Sequence, residues 1–224
     1  MAGYYREKLA AERLRRCYEI ASPRVQQYLQ AEIAYALKEI SSASRVLELG
    51  CGYGRILAPV AKAAGHVIGI DNSIESLRYA GGFLKNPRNV GLVCADAMSL
   101  PFDAESFDVV ACLQNGISAF RVDLSQLMRE GLRVTRRGGT AMFSSYAAGF
   151  WRERLEWFRM QAAEGLVGRI DETRTGNGTI VCEDGFTAST VTPGEFVALA
   201  AGLNADVTIE EVDGSSLFCV LRRR

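Results

Sequence analysis

Residues 46–55, "VLELGCGYGR", set three glycines, Gly50, Gly52 and Gly54, directly behind an apolar run. Glycines so spaced let the chain reverse tightly and bring main-chain amides against a ligand, and amides at a helix start favour an anionic group. A carboxylate and a phosphate satisfy such a turn equally. Asp71 closes the next apolar run and Asp96 the one after that. A carboxylate at the first of these positions accepts hydrogen bonds from ribose hydroxyls; at the second it accepts from an exocyclic amine, with the amide of Ala97 beside it. Together they describe an edge that binds a nucleoside. Asp71 has an alternative duty, capping a helix that starts near Ser73. The spacing departs from the dinucleotide fingerprint GxGxxG: the third glycine arrives one residue early and Arg55 stands where the last is required.

The elements that must hold these residues follow from hydrophobic period. Residues 4–40 repeat at helical spacing, with Leu9, Leu14, Cys17 and Ile20 on one stripe and Val25, Leu29, Ile33, Leu37 and Ile40 on another. Ser22 and Pro23 restart the helix between them, so two helices precede the core, a helical lid over residues 1–42. From residue 45 short apolar strands alternate with helical stretches, which requires right-handed crossovers and a parallel sheet covered on both faces. The rhythm breaks over an insert at about 147–190, with a helix at "GFWRERLEWFRMQAAEG" and a hairpin turning at Gly176, Asn177 and Gly178. Thr192, Pro193 and Glu195 spell a capped helix start. "DVTIEEV" and "SLFCVLRR" are joined by "DGS", which permits only an antiparallel hairpin, placing an antiparallel strand at one side of the sheet. Residues 43–224 form the cofactor-binding domain.

Composition narrows the partners. Lys plus Arg (26) equals Asp plus Glu (26), so no net field gathers nucleic acid or an anionic membrane. Arg222, Arg223 and Arg224 read as a solvated tail. Six cysteines lie scattered without a CxxC pair, as reduced thiols in a cytoplasmic protein do, and with one histidine, His66, no metal site is expected. No apolar run approaches the roughly 18 residues that span a bilayer.

Four stretches, "VLELGCGYGR", "GIDNSIESLRYA", "CADAMSLPFDAESFDVVACL" and "LMREGLRVTRRGGTAMFSSY", resemble successive motifs of the class I S-adenosylmethionine-dependent methyltransferases, in order and over residues 45–146. The resemblance is to the small-molecule, type 11-like branch. It implies a Rossmann-like three-layer α/β fold with a seven-stranded, mainly parallel sheet whose last strand is antiparallel. By motif position Glu48 lies near the methionine end, Gly50, Cys51 and Gly52 border the methionine, Asp71 with Asn72 beside it holds the ribose, and Asp96 with Ala97 holds the adenine. The product would be S-adenosylhomocysteine. Two departures stand out: Arg137, Gly138 and Gly139 replace the usual Pro-Gly, which should alter only a turn, and Gln114 and Asn115 follow the fourth strand where relatives often carry histidine.

Methyl transfer asks the protein to hold an acceptor in line with an activated methyl and to exclude water; it needs no covalent nucleophile. Gln114 and Asn115 are the candidates to orient a small polar acceptor, and Tyr4 and Tyr5 to close over the cofactor, unless the tyrosines merely anchor a helix. Trp151 and Trp157 have the same two readings. His66 starts a strand far from the binding edge, and Cys112 reads as a core residue. No Asn-Pro-Pro-aromatic tetrapeptide of base-amine methylation is present. A non-catalytic module that binds the adenosyl cofactor stays open beside the enzyme, and an NAD(P)-dependent oxidoreductase ranks below both. The oligomeric state is open, a homodimer included.

Overall fold

The computed structural model describes residues 4–85, 87–120 and 122–224. The strands are β1 (Arg45–Leu49), β2 (His66–Asp71), β3 (Val90–Cys94), β4 (Phe107–Cys112), β5 (Thr135–Tyr146), β6 (Ile180–Val181), β7 (Thr187–Ala188), β8 (Ala205–Val212) and β9 (Ser216–Arg223). Seven of them build one sheet in the order β3-β2-β1-β4-β5-β9-β8, and β6 with β7 forms a separate ribbon. Pairing from β3 through β5 is parallel, as short apolar strands separated by helices demand. β9 runs antiparallel to both β5 and β8. The reversed strand is the last one and lies at one side of the sheet as expected, one place in from its edge. Asp213 and Gly214, at φ +59° and +63°, make the tight turn that "DGS" requires.

The helices are α1 (Tyr4–Glu7), α2 (Ala11–Glu19), α3 (Pro23–Leu37), α4 (Leu57–Ala63), α5 (Ile74–Leu84), α6 (Gly116–Ala119), α7 (Leu124–Val134), α8 (Trp151–Ala163) and α9 (Pro193–Ala200). One sheet face is sealed by Leu127, Met128 and Leu132 of α7 and Phe196 of α9; the other is sealed by Ile33 of α3, Leu57 and Val60 of α4 and Leu77 of α5. Both faces of the central strands are therefore dry, and Val46, Leu47 and Leu49 of β1 are at most 1% exposed. The capping box of α9 forms with both its hydrogen bonds, and Ser22 accepts from Val25 N to start α3.

Four expectations need correction. The N-terminal region holds three helical segments instead of two, because the chain breaks between α1 and α2 where Ala11 turns left-handed (φ +49°) and its amide reaches Ser76 Oγ of α5 (3.2 Å). The insert is a three-segment meander rather than one hairpin. Asn177 and Gly178 do turn the chain, but Cys182 to Phe186 turns it again, so residues 169–171 pair with 181–183 and β6 pairs with β7. Arg222 and Arg223 lie within β9, with Arg222 paired to Glu39 and Arg223 donating to three main-chain oxygens, so the terminal arginines are structural. Gly138 and Gly139 lie inside β5, where the register with β4 jumps between Phe107 and Val109. A Cβ at Gly139 would stand 2.7 Å from Asp108 O.

The N-terminal helices are tied to the insert. Trp157 Nε1 donates to Cys17 O (2.8 Å), Tyr4 Oη to Asp184 (2.5 Å), and Arg16 pairs with Glu164 (2.8 Å). Leu9 and Cys17 pack with Phe158, Phe186 and Ile180. No helix among the described residues is long and apolar enough to cross a membrane.

Candidate cofactor and acceptor site

At the carboxyl end of β1 the three glycines take left-handed backbone, with φ +76° at Gly50, +51° at Gly52 and +87° at Gly54. Gly50 N and Cys51 N both donate to Ile70 O at 2.9 Å, which folds the turn back over β2. A Cβ at Gly52 would meet Leu14 of α2 at 2.9 Å, so the N-terminal helices press directly on the turn. Asp71 is the strut beneath it: Oδ2 accepts from Gly52 N (2.9 Å) and Oδ1 from Ser73 N (2.8 Å). Burial raises the Asp71 carboxyl while these amides hold it down. Asp71 thus braces both the glycine turn and the start of α5, which Ser73 caps, while lining the cleft above them.

Over the turn opens a cleft enclosing about 960 Å³, open mouth included. Its floor is Glu48, Gly50, Cys51, Gly52, Asp71 and Asn72; its far wall is Leu113, Gln114, Gly116 and Phe120; its roof is Tyr5, Arg6, Leu9, Leu14 and Tyr18 from α1, α2 and the break between them. Tyr5 lines the cleft as anticipated. Tyr4 does not: it turns to Asp184 and packs edge-on against Phe186, 4.9 Å between centroids, so it anchors the roof to the insert. Asp96 is exposed at the end of β3, outside the cleft lining, with Oδ1 accepting from Met98 N (2.9 Å), and Ala97 is buried beside it.

The cleft's polar groups identify the ligand's shape. Glu48 is 4% exposed with Oε2 unpartnered, and burial pushes its carboxyl up to about 8 against the pull of Arg55. Arg55 lies over the Tyr18 ring at 4.6 Å, with Nε and Nη2 buried and unpartnered. A buried carboxylate and a buried guanidinium that leave polar atoms bare complement a zwitterion, the ammonium and carboxylate of an amino-acid end. Two acidic floor residues disfavour a pyrophosphate. Tyr5, Tyr18, Tyr53 and Phe120 supply ring surface suited to a soft cation. S-adenosylmethionine has these parts, and the residues present fit it. Sequence reading assigned Arg55 no such role; its only signal was a charge where a glycine was expected.

Gln114 and Asn115 hold a strained turn, both left-handed at φ +56° and +57°, a conformation costing about 1 kcal/mol or more for each such residue. Asn115 is locked by its side chain: Nδ2 donates to Ser189 O (2.9 Å) while Oδ1 accepts from Ser145 Oγ (2.9 Å) and Ser118 Oγ (3.2 Å). It does not line the cleft, so its part is to brace the turn. Gln114 does line it, with Nε2 buried and bare. Its amide donates to Glu32 Oε2 of α3 at 2.6 Å. Glu32 is a residue the motifs do not contain. His66 begins β2 at the opposite edge, and Cys112 is fully buried in the core. Trp157 packs and anchors, while Trp151 lines a separate cleft with Tyr146 and Arg154.

The glycine turn ends the first strand of a seven-stranded sheet with a reversed strand next to its edge, an arrangement able to hold a nucleoside cofactor. Residues 46–139 match the family model described as a methyltransferase domain. Over 108 residues the chain is 35% identical to a demethylmenaquinone methyltransferase of Roseiflexus castenholzii, covering 47% of this chain and 44% of that protein. It is 30% identical over 145 residues to a malonyl-[acyl-carrier protein] O-methyltransferase of Hamiltonella defensa, covering 63% and 54%. The chain spans about half the length of the curated relatives it matches. Among solved structures, a protein of Pyrococcus horikoshii shares the fold over 99% of this chain and 98% of its own, at TM-score 0.68 and 22% identity. The N-methyltransferase NodS of Bradyrhizobium japonicum, solved with S-adenosylhomocysteine, shares it over 96% and 94%, at TM-score 0.62 and 14% identity. Residues 46–139 are thus similar to a methyltransferase domain, and the whole chain shares the fold of these solved structures.

Proposed function

We propose that the chain is an S-adenosylmethionine-dependent methyltransferase acting on a small-molecule acceptor in the cytoplasm. The observation that carries this reading is the Glu48 carboxyl and the Arg55 guanidinium, each with buried polar atoms left bare beside the glycine turn. When bound, the cofactor supplies a methyl group already activated on a sulfonium sulfur. Glu48 and Arg55 hold its amino-acid end, Asp71 and Asn72 face the ribose, and Asp96 with the Ala97 amide reads the adenine. Tyr5 and Tyr18 exclude water from above, so residues 1–42 act as a lid on a domain spanning 43–224. The first three residues of that lid lie outside the described ones. Gln114 presents its carboxamide to the acceptor. Zero formal charge on the whole chain supports a small acceptor over nucleic acid. Relatives named for demethylmenaquinone and for malonyl-[acyl-carrier protein] fit the same choice.

Calorimetric titration of the purified protein with S-adenosylmethionine, S-adenosylhomocysteine and NADH tests the reading. Micromolar binding of both adenosyl ligands without a response to NADH is expected. Binding of NADH alone, or of none of the three, overturns it.

A further inference from the structure

Beyond the carboxyl end of β5 lies a second cavity, of about 800 Å³ with its open mouth included, that shares no lining residue with the cofactor cleft. Its walls include Tyr146 of β5, Trp151 and Arg154 of α8, and Asn177, Gly178 and Thr190 of the insert. Arg154 is 0% exposed, a placement that a guanidinium tolerates when a carboxylate neutralises it. None does. Among the described residues its hydrogen bonds run only to main-chain oxygens, Nη1 to Gly178 O (2.9 Å) and Nη2 to Ala188 O (2.7 Å), and Nε is buried and bare. The guanidinium lies over the Tyr146 ring at 4.4 Å and 5.7 Å from the centre of the Trp151 ring, so it sits against both aromatic walls of the cavity. The two carbonyls anchor it, yet anchoring asks for donors and not for a net charge. Burial lowers the guanidinium from its usual value, and the groups that lean against burial are the hydroxyls of Tyr146, Tyr28 and Tyr5 rather than any carboxylate. No acidic side chain among the described residues lines the cavity. Glu195, which caps α9, is committed to Thr192.

We propose that this cavity is a binding site for an organic anion, a carboxylate or phosphate group carried on a flat ring, with Arg154 as the counter-charge. A buried cation without a carboxylate lacks what an anionic ligand supplies, and charge-assisted hydrogen bonds to a guanidinium are the strong ones. The ring follows from the walls: a bare inorganic ion would leave the faces of Trp151 and Tyr146 uncovered, whereas an aromatic body buries against them. Thr190 and Asn177 add a hydroxyl and a carboxamide for the remaining oxygens. The site goes beyond the methyltransferase reading and does not depend on it, because none of its walls belongs to the cofactor cleft.

The test titrates the protein calorimetrically with benzoate and phenyl phosphate, with benzamide and benzyl alcohol as neutral bodies of similar shape, and with inorganic phosphate as the anion without a ring. At least one ring-bearing anion should bind with Kd of about 1 mM or tighter, about tenfold or more ahead of the neutral bodies and of inorganic phosphate. The tighter of the two tells carboxylate from phosphate. Trp151 reports the place. Its emission should change with the same Kd, and Trp151→Phe, which keeps a ring in the wall, should lose the response while Trp157 still emits. Arg154→Lys keeps the charge and should bind within about tenfold of wild type, whereas Arg154→Gln should weaken the anion about tenfold to 150-fold. A purely structural Arg154 gives no such dependence on charge. Arg55→Met, in the cofactor cleft, should leave anion binding unchanged. Where Arg154→Gln does not fold, the preference of the wild-type protein for anions and the Trp151 response decide. Equal affinity for charged and neutral bodies, no saturation by about 10 mM, binding to which Trp151 is silent, or loss of anion binding in Arg55→Met overturns the proposal.

Discussion

Replacing Asp71 with alanine separates the strut that its carboxylate forms from the ribose contact proposed for it. Its oxygens accept from Gly52 N at 2.9 Å and Ser73 N at 2.8 Å, so alanine strips both amides of their acceptor at a half-buried site. Each lost bond to a charged acceptor costs about 1 to 2 kcal/mol here, for a fall in unfolding free energy of about 2 to 4 kcal/mol. The ribose hydroxyls lose the same carboxylate. That costs a further 1.5 to 3 kcal/mol or so in binding, about tenfold to 150-fold in Kd. Urea unfolding of the unliganded protein reads the first number and calorimetric titration with S-adenosylhomocysteine the second, at a temperature where the variant is folded. Asp71→Asn retains one carbonyl oxygen and should recover part of the stability while remaining weak in binding. Stability within about 0.5 kcal/mol of wild type would refute the strut, and unchanged affinity in a folded Asp71→Ala would refute the ribose contact.

Arg55→Met should keep the stacking over Tyr18 and lose the guanidinium, weakening S-adenosylhomocysteine about tenfold to 100-fold while leaving adenosine, which has no amino-acid end, nearly unaffected. Equal losses for both ligands in parallel titrations would place the arginine elsewhere on the cofactor. Glu32 and Glu48 carry raised values of about 7 and about 8 in the folded chain against 4.5 when unfolded. The folded state therefore holds protons that the unfolded state has released. Their contribution is full below about 4.5 and is lost as pH rises through about 7 to 8. Thermal unfolding of the unliganded protein between pH 5.5 and 8.5 should show Tm falling as pH rises, with a flatter fall in Glu48→Gln; a Tm that rises over this range contradicts the buried carboxylates.

What the residue pattern revealed, it revealed where one local rule decides the outcome. Buried parallel strands read as unbroken apolar runs, so β1 to β5 were legible. The glycines at 50, 52 and 54 were legible because only glycine takes φ near +50° to +90° without strain. The final hairpin followed from a linker too short for anything else. The break at Ala11 was not legible, because alanine gives no signal of a left-handed residue; it is Ser76, 65 positions away, that supports it. The meander of the insert was half legible for the same reason. Asn177 and Gly178 announce one turn, while the second at Asp184 and Gly185 competes with it and is settled by the packing of Phe186 against Tyr4 and Phe158.

The site divides along the same line. The acidic and glycine groups proposed to touch the cofactor sit at or near strand ends, at spacings set by the repeat of the fold, and could be counted off from the glycine turn, whereas Arg55 and Tyr18 could not. Gln114, the group proposed to meet the acceptor, comes from the turn after β4 and is held from behind by Glu32 of α3, whose placement is set by long-range packing of Ile33 and Ala36 against the sheet. Glu32 looks like any polar residue in an amphipathic helix until that packing drives it to 0% exposure beside Gln114. A carboxylate forced dry in this way costs stability unless something compensates. Two strained residues, a bare carboxamide and a half-satisfied carboxylate meeting at one point mean that stability has been given up here in favour of a ligand. Acceptor choice in this chain should therefore follow changes in α3 and at residues 114–115 more closely than changes in the glycine turn.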